Sequence, residues 1–139
     1  MRILILCTGN SCRSQMAEGI LRFLKPSWEI FSAGTRPEKE VNPRTVNVMQ
    51  EIGLDISSHY PKSVDEFVGK SFDFVITVCD NARENCPLIT GTVGKRLHIG
   101  FEDPATAKGN AEEIISTYRK IRDQITGALT HFTQHIKQE

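Results

Sequence analysis

Cys7 and Arg13 enclose the stretch Thr8-Gly9-Asn10-Ser11-Cys12, and Ser14 follows directly. A thiol and a guanidinium at this interval, separated by glycine and small polar residues, can hold a tetrahedral oxyanion. Backbone N–H groups of such a loop turn inward on the anion, as in nests and at helix N-termini. The arginine adds a bidentate fork, and the cysteine beneath it serves as nucleophile. Thr8, Gly9, Asn10, Ser11, Cys12, Arg13 and Ser14 are therefore the expected binding residues, and the ligand should be phosphate-like. Backbone donors, the dipole of a helix opening near Arg13 and the guanidinium all favour Cys7 as thiolate. The Ser14 hydroxyl adds a donor for the sulfur. Gly9 and Asn10 are residue types that tolerate the left-handed backbone a tight loop needs.

Secondary-structure elements must bring this loop to an edge. Residues 2–7 form a continuous apolar run, the pattern of a strand buried on both faces. From Arg13 to about Leu24, the residues Met16, Ala17, Ile20, Leu21 and Leu24 recur at helical spacing, and Pro26 lies just beyond. Trp28 to Ser32 reads as a second strand closed by Ala33-Gly34. Asn42-Pro43 opens a helix whose inner stripe is expected at Val46, Met49 and Ile52, with Gly53 as its stop. Residues 72–78 make a third strand, rich in β-branched and aromatic side chains. A short helix or loop from Asn81 to Asn85 leads to Cys86-Pro87, and a weaker fourth strand spans Lys95 to Ile99. The last helix, from about Asn110 to Ile136, aligns Ile114, Ile115, Tyr118, Ile121, Ile125, Leu129 and Phe132.

This alternation implies one α/β domain over residues 1–139. Its expected core is a four-stranded parallel sheet, order 2-1-3-4, with helices on both faces and the anion loop after the first strand. Ligands of such sheets bind outside the carboxyl ends of the strands, where strand order reverses. Cys7 ends the first strand and Cys79 the third, so both belong to that edge. If those strands are neighbours, the two thiols can meet.

Composition narrows the classes. The chain has 139 residues, 39% hydrophobic and 24% charged, with 17 basic residues against 17 acidic ones. No global field points to nucleic acid or an anionic membrane. The opening MRILILC is far short of the ~20 residues that span a bilayer and lacks a signal-peptide cleavage site. A cytoplasmic monomer is the expectation. Cys7, Cys12, Cys79 and Cys86 then read as reactive more than structural. Their spacings fit zinc pairs poorly and no histidine adjoins either pair, so no metal is expected. His131 and His135, four apart, read as a solvated helix end.

The stretch CTGNSCRSQMAEG at 7–19 resembles the signature of the thioredoxin-coupled arsenate reductases, which are built on the low-molecular-weight protein tyrosine phosphatase fold. SAGT at 32–35, VNP at 41–43, ITVC…NCP at 76–87 and FEDPA at 101–105 extend the resemblance over nearly the whole chain. It implies that Cys7 attacks arsenate, Arg13 binds the oxyanion and Asp103 protonates the leaving oxygen. It further implies Cys79 and Cys86 as second and third redox cysteines. A transient Cys7–Cys79 disulfide would pass to Cys79–Cys86, which thioredoxin reduces. No tightly bound cofactor is implied.

Seven residues of helix would separate the Cα atoms of Cys79 and Cys86 by about 10.5 Å, whereas a disulfide needs them within ~7 Å. Residues 80–92 are therefore expected to rearrange as that bond forms, with Gly91 and Gly94 as hinge candidates. Some members of the family hold a potassium ion beside the cradle. Asn10, Glu18 and Ser32 match its ligands, but Tyr60 and Lys62 stand where the last two would fall, so the Lys62 ammonium is expected to take its place. The alternative enzyme reading is a phosphatase acting on phosphotyrosine or small monoesters. Such phosphatases typically carry tyrosines after the Asp-Pro pair, whereas Ala105-Thr106 follow Asp103-Pro104 here. A non-catalytic redox sensor or oxyanion-binding protein is the alternative outside enzymology.

Overall fold

Four six-residue strands, β1 (Arg2–Cys7), β2 (Glu29–Gly34), β3 (Phe72–Thr77) and β4 (Val93–His98), carry the anion loop at one edge. They form one parallel sheet in the order β2-β1-β3-β4, with helices around it. The computed structural model describes residues 1–78 and 92–136. Cys79, Cys86, the Asn81–Asn85 segment, Gly91 and the expected rearrangement across residues 80–92 lie outside the described residues, apart from Thr92.

β1 is central and reads as the sequence implies: Ile3, Leu4, Ile5 and Leu6 have no exposed surface. Alternation along the strand divides its side chains between two cores. Ile3, Ile5 and Cys7 face helices α1 (Arg13–Leu24), α2 (Pro43–Gln50) and α3 (Ala111–His135). Leu4 and Leu6 face the opposite side, where Phe67 and Val64 of a short 3-10 turn pack with Phe72 and Val75. Burying an aliphatic side chain of this size stabilises by roughly 1.5–3 kcal/mol, so β1 is the anchor of the edge that holds Cys7.

β2 runs on through Ala33 and Gly34, because Leu6 pairs with Ala33 and Cys7 with Gly34. β4 begins at Val93, two residues before the sequence pattern suggests, since Val93 pairs with Phe72. Its exposed Lys95 and Arg96 guard a sheet edge. In α2, Asn42 accepts from the Arg44 amide at 2.9 Å and Pro43 takes the first position, as expected. Its inner stripe differs. Thr45, Val48 and Met49 are buried, while Ile52 is 41% exposed because the helix ends at Gln50. Gly53 closes the turn at φ 79°, and the Leu54 amide reaches back to the Met49 carbonyl. α3 opens with a capping box between Asn110 and Glu113 and buries Tyr118, Ile121, Ile125, Leu129 and Phe132. Among the described residues, no helix is long and apolar enough to cross a membrane.

Candidate active site

The loop leaving β1 is shaped by where its carbonyls go. Those of Cys7, Thr8, Gly9 and Ser11 accept from the amides of Thr35, Arg36, Glu38 and Asn42, at 3.2, 2.9, 2.9 and 3.0 Å. The segment after β2 thus draws the carbonyl groups outward and leaves the loop's N–H groups for the concave side. On that side the Asn10 amide donates to Cys7 Sγ at 3.1 Å, and Ser14 Oγ lies 2.8 Å from the same sulfur. Asn10 adopts φ 53°, and among the described residues it alone does so without being glycine. Cys7 is 2% exposed and faces the N-terminal turn of α1.

Arg13, the first residue of α1, extends over this thiol's edge of the sheet. Its Nη1 donates to the Phe101 carbonyl at 3.1 Å, and its Nη2 lies 3.6 Å from Asp103 Oδ2. Asp103 also caps a 3-10 turn, accepting from the Ala105 amide at 3.0 Å through its other oxygen. One carboxylate oxygen of Asp103 thus serves the turn while the other faces Arg13. Arg13, Phe101, Asp103, Thr106 and Thr117 border a cavity of about 560 Å³, in which Phe101 is the one aromatic side chain among the described residues.

Cys12 is buried against Thr45, Ser11 and Tyr118, and burial pushes its thiol pKa up. The Tyr118 hydroxyl is pushed up to about 12, chiefly by burial and then by Cys12, and accepts from Asn42 Nδ2. Burial thus favours the protonated form of Cys12. Of the expected cradle residues, Asn10 and Ser14 meet the Cys7 sulfur directly, and Arg13 links the loop to Asp103.

Behind the loop lies a polar cluster that the sequence reading covered only in part. Glu18, 4% exposed, accepts from Ser32 Oγ at 2.6 Å and from Arg22 Nε at 3.1 Å. His59 Nδ1 lies 3.5 Å from it and Lys62 Nζ 4.0 Å. Burial lowers the pKa of both His59 and Lys62, while Glu18 opposes that shift. Lys62 Nζ also donates to the Tyr60 carbonyl at 3.0 Å. Gln15 was missed altogether, although a glutamine among the apolar residues opening α1 is a readable signal of a buried hydrogen-bonding duty.

Arginine and lysine are not equivalent at such a site. Arg13→Lys keeps the charge but loses the fork that reaches both Phe101 and Asp103. The expected result is roughly 10- to 100-fold weaker inorganic phosphate binding by calorimetric titration, the worth of one charge-assisted hydrogen bond. Parent-like affinity would remove Arg13 from the binding set.

The model of the low molecular weight phosphotyrosine protein phosphatase family matches residues 2–139. An arsenate reductase of Bacillus subtilis is 41% identical over 133 residues, covering 95% of this chain and 94% of the relative. One from Halalkalibacterium halodurans is 42% identical with the same coverage. Among solved structures, an arsenate reductase in the phosphate binding state superposes with a TM-score of 0.82 at 27% identity, covering 98% of both chains. A low molecular weight protein tyrosine phosphatase from T. tengcongensis superposes at 0.78 with 28% identity, covering 98% of this chain and 99% of that one.

Proposed function

The chain belongs to the low molecular weight phosphotyrosine protein phosphatase family, and from that premise we propose that it reduces arsenate to arsenite through Cys7, Cys79 and Cys86, with thioredoxin as electron donor. The observation that carries this reading is the Cys7 sulfur, held by the Asn10 amide and the Ser14 hydroxyl at the start of a helix whose first residue, Arg13, pairs with Asp103. Relatives named arsenate reductases at 41–42% identity support the choice of oxyanion.

Each step balances. The Cys7 thiolate attacks arsenic and an As–O bond breaks, the oxygen leaving as water with a proton from Asp103. The Cys79 thiolate then attacks the Cys7 sulfur. The electron pair of the S–As bond stays on arsenic, which departs as arsenite, and the two cysteines become a disulfide. Cys86 displaces Cys7 from that bond, and the dithiol of thioredoxin reduces Cys79–Cys86 and is itself oxidised. Rearrangement of residues 80–92 during the last exchange belongs to the same proposal, as do a cytoplasmic location and a monomeric state.

The test is arsenate-dependent NADPH oxidation in the presence of thioredoxin and thioredoxin reductase, with arsenite measured directly. One arsenite per NADPH is expected. No arsenite would overturn the proposal. A phosphatase acting on small monoesters is the second reading, favoured by the T. tengcongensis neighbour. Against phosphotyrosine stand Ala105 and Thr106 after Asp103-Pro104, and a cavity with a single ring among the described residues.

That the Lys62 ammonium takes the place of a potassium ion belongs to the same proposal, and its Nζ 4.0 Å from Glu18 Oε1 supports that reading. We expect exchange of sodium for potassium at constant ionic strength to change kcat/KM and melting temperature very little. A melting temperature that climbs with potassium and stays flat with sodium would show that the lysine is no substitute.

A further inference from the structure

We propose that Gln15 is a positioning residue that holds Asn10 in its left-handed conformation and thereby aims two hydrogen bonds at the Cys7 sulfur. Gln15 has no exposed surface. Its Nε2 lies 3.1 Å from the Asn10 carbonyl, 3.2 Å from Asn10 Oδ1 and 3.2 Å from the Tyr60 carbonyl. Two hydrogens shared among three oxygens grip Asn10 by its main chain and side chain together. Asparagine tolerates left-handed backbone but does not prefer it, so an external hold shifts the balance toward that conformation.

The rest of Asn10 shows what that hold achieves. Its backbone amide meets Cys7 Sγ, and its Nδ2 meets Ser14 Oγ at 2.7 Å, which in turn meets the sulfur. Ser32 and the Lys62 amide complete its partners. The orientation of Gln15 is itself set, since Oε1 lies 3.1 Å from His59 Nδ1, which donates to it. A flipped amide would face three acceptor oxygens with another acceptor. His59, Gln15 and Asn10 thus form a chain that ends on the nucleophile, with Glu18, Arg22 and Lys62 as the charges around its outer end.

The assignment rests on Cys7 being the nucleophile of the proposed reaction, but its test requires no arsenate. Cys7 carbamidomethylation is followed against pH by peptide mass spectrometry. Gln15→Met keeps the volume and removes the grip. Its rate at pH 7 should fall about tenfold, equivalent to a profile displaced upward by about one unit, and should recover the parent rate at high pH. His59→Leu, on an accessible loop, frees the Gln15 amide to flip and should give a smaller displacement in the same direction. Profiles superimposable on the parent overturn the assignment even if melting temperatures drop, because a merely structural glutamine would move only the latter. If Gln15→Met does not fold, an undisplaced profile in His59→Leu overturns it alone.

Discussion

Replacing Cys79 with serine should stop arsenite release under multiple turnover while Cys7 carbamidomethylation proceeds at the parent rate. A serine hydroxyl titrates far above a thiol, which ionises near 8.5, and an alkoxide closes no stable bond to sulfur. The S–As adduct therefore lacks the thiol that attacks its sulfur in the second step, and arsenic keeps its oxidation state. The fold supplies the reason for choosing this cysteine. β1 and β3 are adjacent and parallel, and the Val78 amide, one residue before Cys79, donates to the Leu6 carbonyl, one residue before Cys7. Arsenite formation and Cys7 labelling, measured on the same sample, separate a blocked second step from a damaged cradle. Arsenite release at the parent rate would remove Cys79 from the mechanism.

Gly34→Ala should be nearly as damaging, though Gly34 touches no substrate. A Cβ there would sit 2.5 Å from the Thr8 carbonyl oxygen and 3.1 Å from the Asn10 amide nitrogen and Cβ. Its worst contact is backbone, so no flexible side chain can swing aside. The cradle loop must lift off β2, or β2 must shift from β1. Overpacking of this kind typically costs about 1–3 kcal/mol of stability. Displacing an anion loop by about 1 Å costs on the order of 100-fold in rate. We expect turnover with arsenate to fall by about that factor, phosphate binding to weaken and the melting temperature to drop by several degrees, read by the coupled assay, calorimetric titration and thermal denaturation. An alanine variant that binds phosphate like the parent would mean that the loop and β2 are less tightly matched than 2.5 Å implies.

The two predictions draw on different kinds of information. Cys79 stands out in the chain because its residue type and its position after a strongly β-forming run are local properties. Gly34 could be read only as a turn residue, because its lack of a side chain matters through Thr8, which reaches it by parallel pairing of β1 with β2. The same distinction explains α2. Its cap and closing glycine were legible from Asn42, Pro43 and Gly53, but the inner stripe depended on where the helix ends, and Ile52 lies beyond Gln50 and outside it.

By itself the sequence determined the loop's residue types and spacing, the order of the elements and the edge at which they deliver Cys7, since periodicity, caps and the Cys-to-Arg interval act over a few residues. Tertiary structure decided how that loop is kept in shape. Arg13 meets Phe101 across 88 positions, Lys62 meets Asn10 across 52, and Gln15 meets His59 across 44. Hydrogen bonds of that span leave no local pattern, because they exist only after the sheet has brought distant segments to one edge. Their strength there comes from burial, where each donor must find an acceptor among neighbours that the fold alone selects.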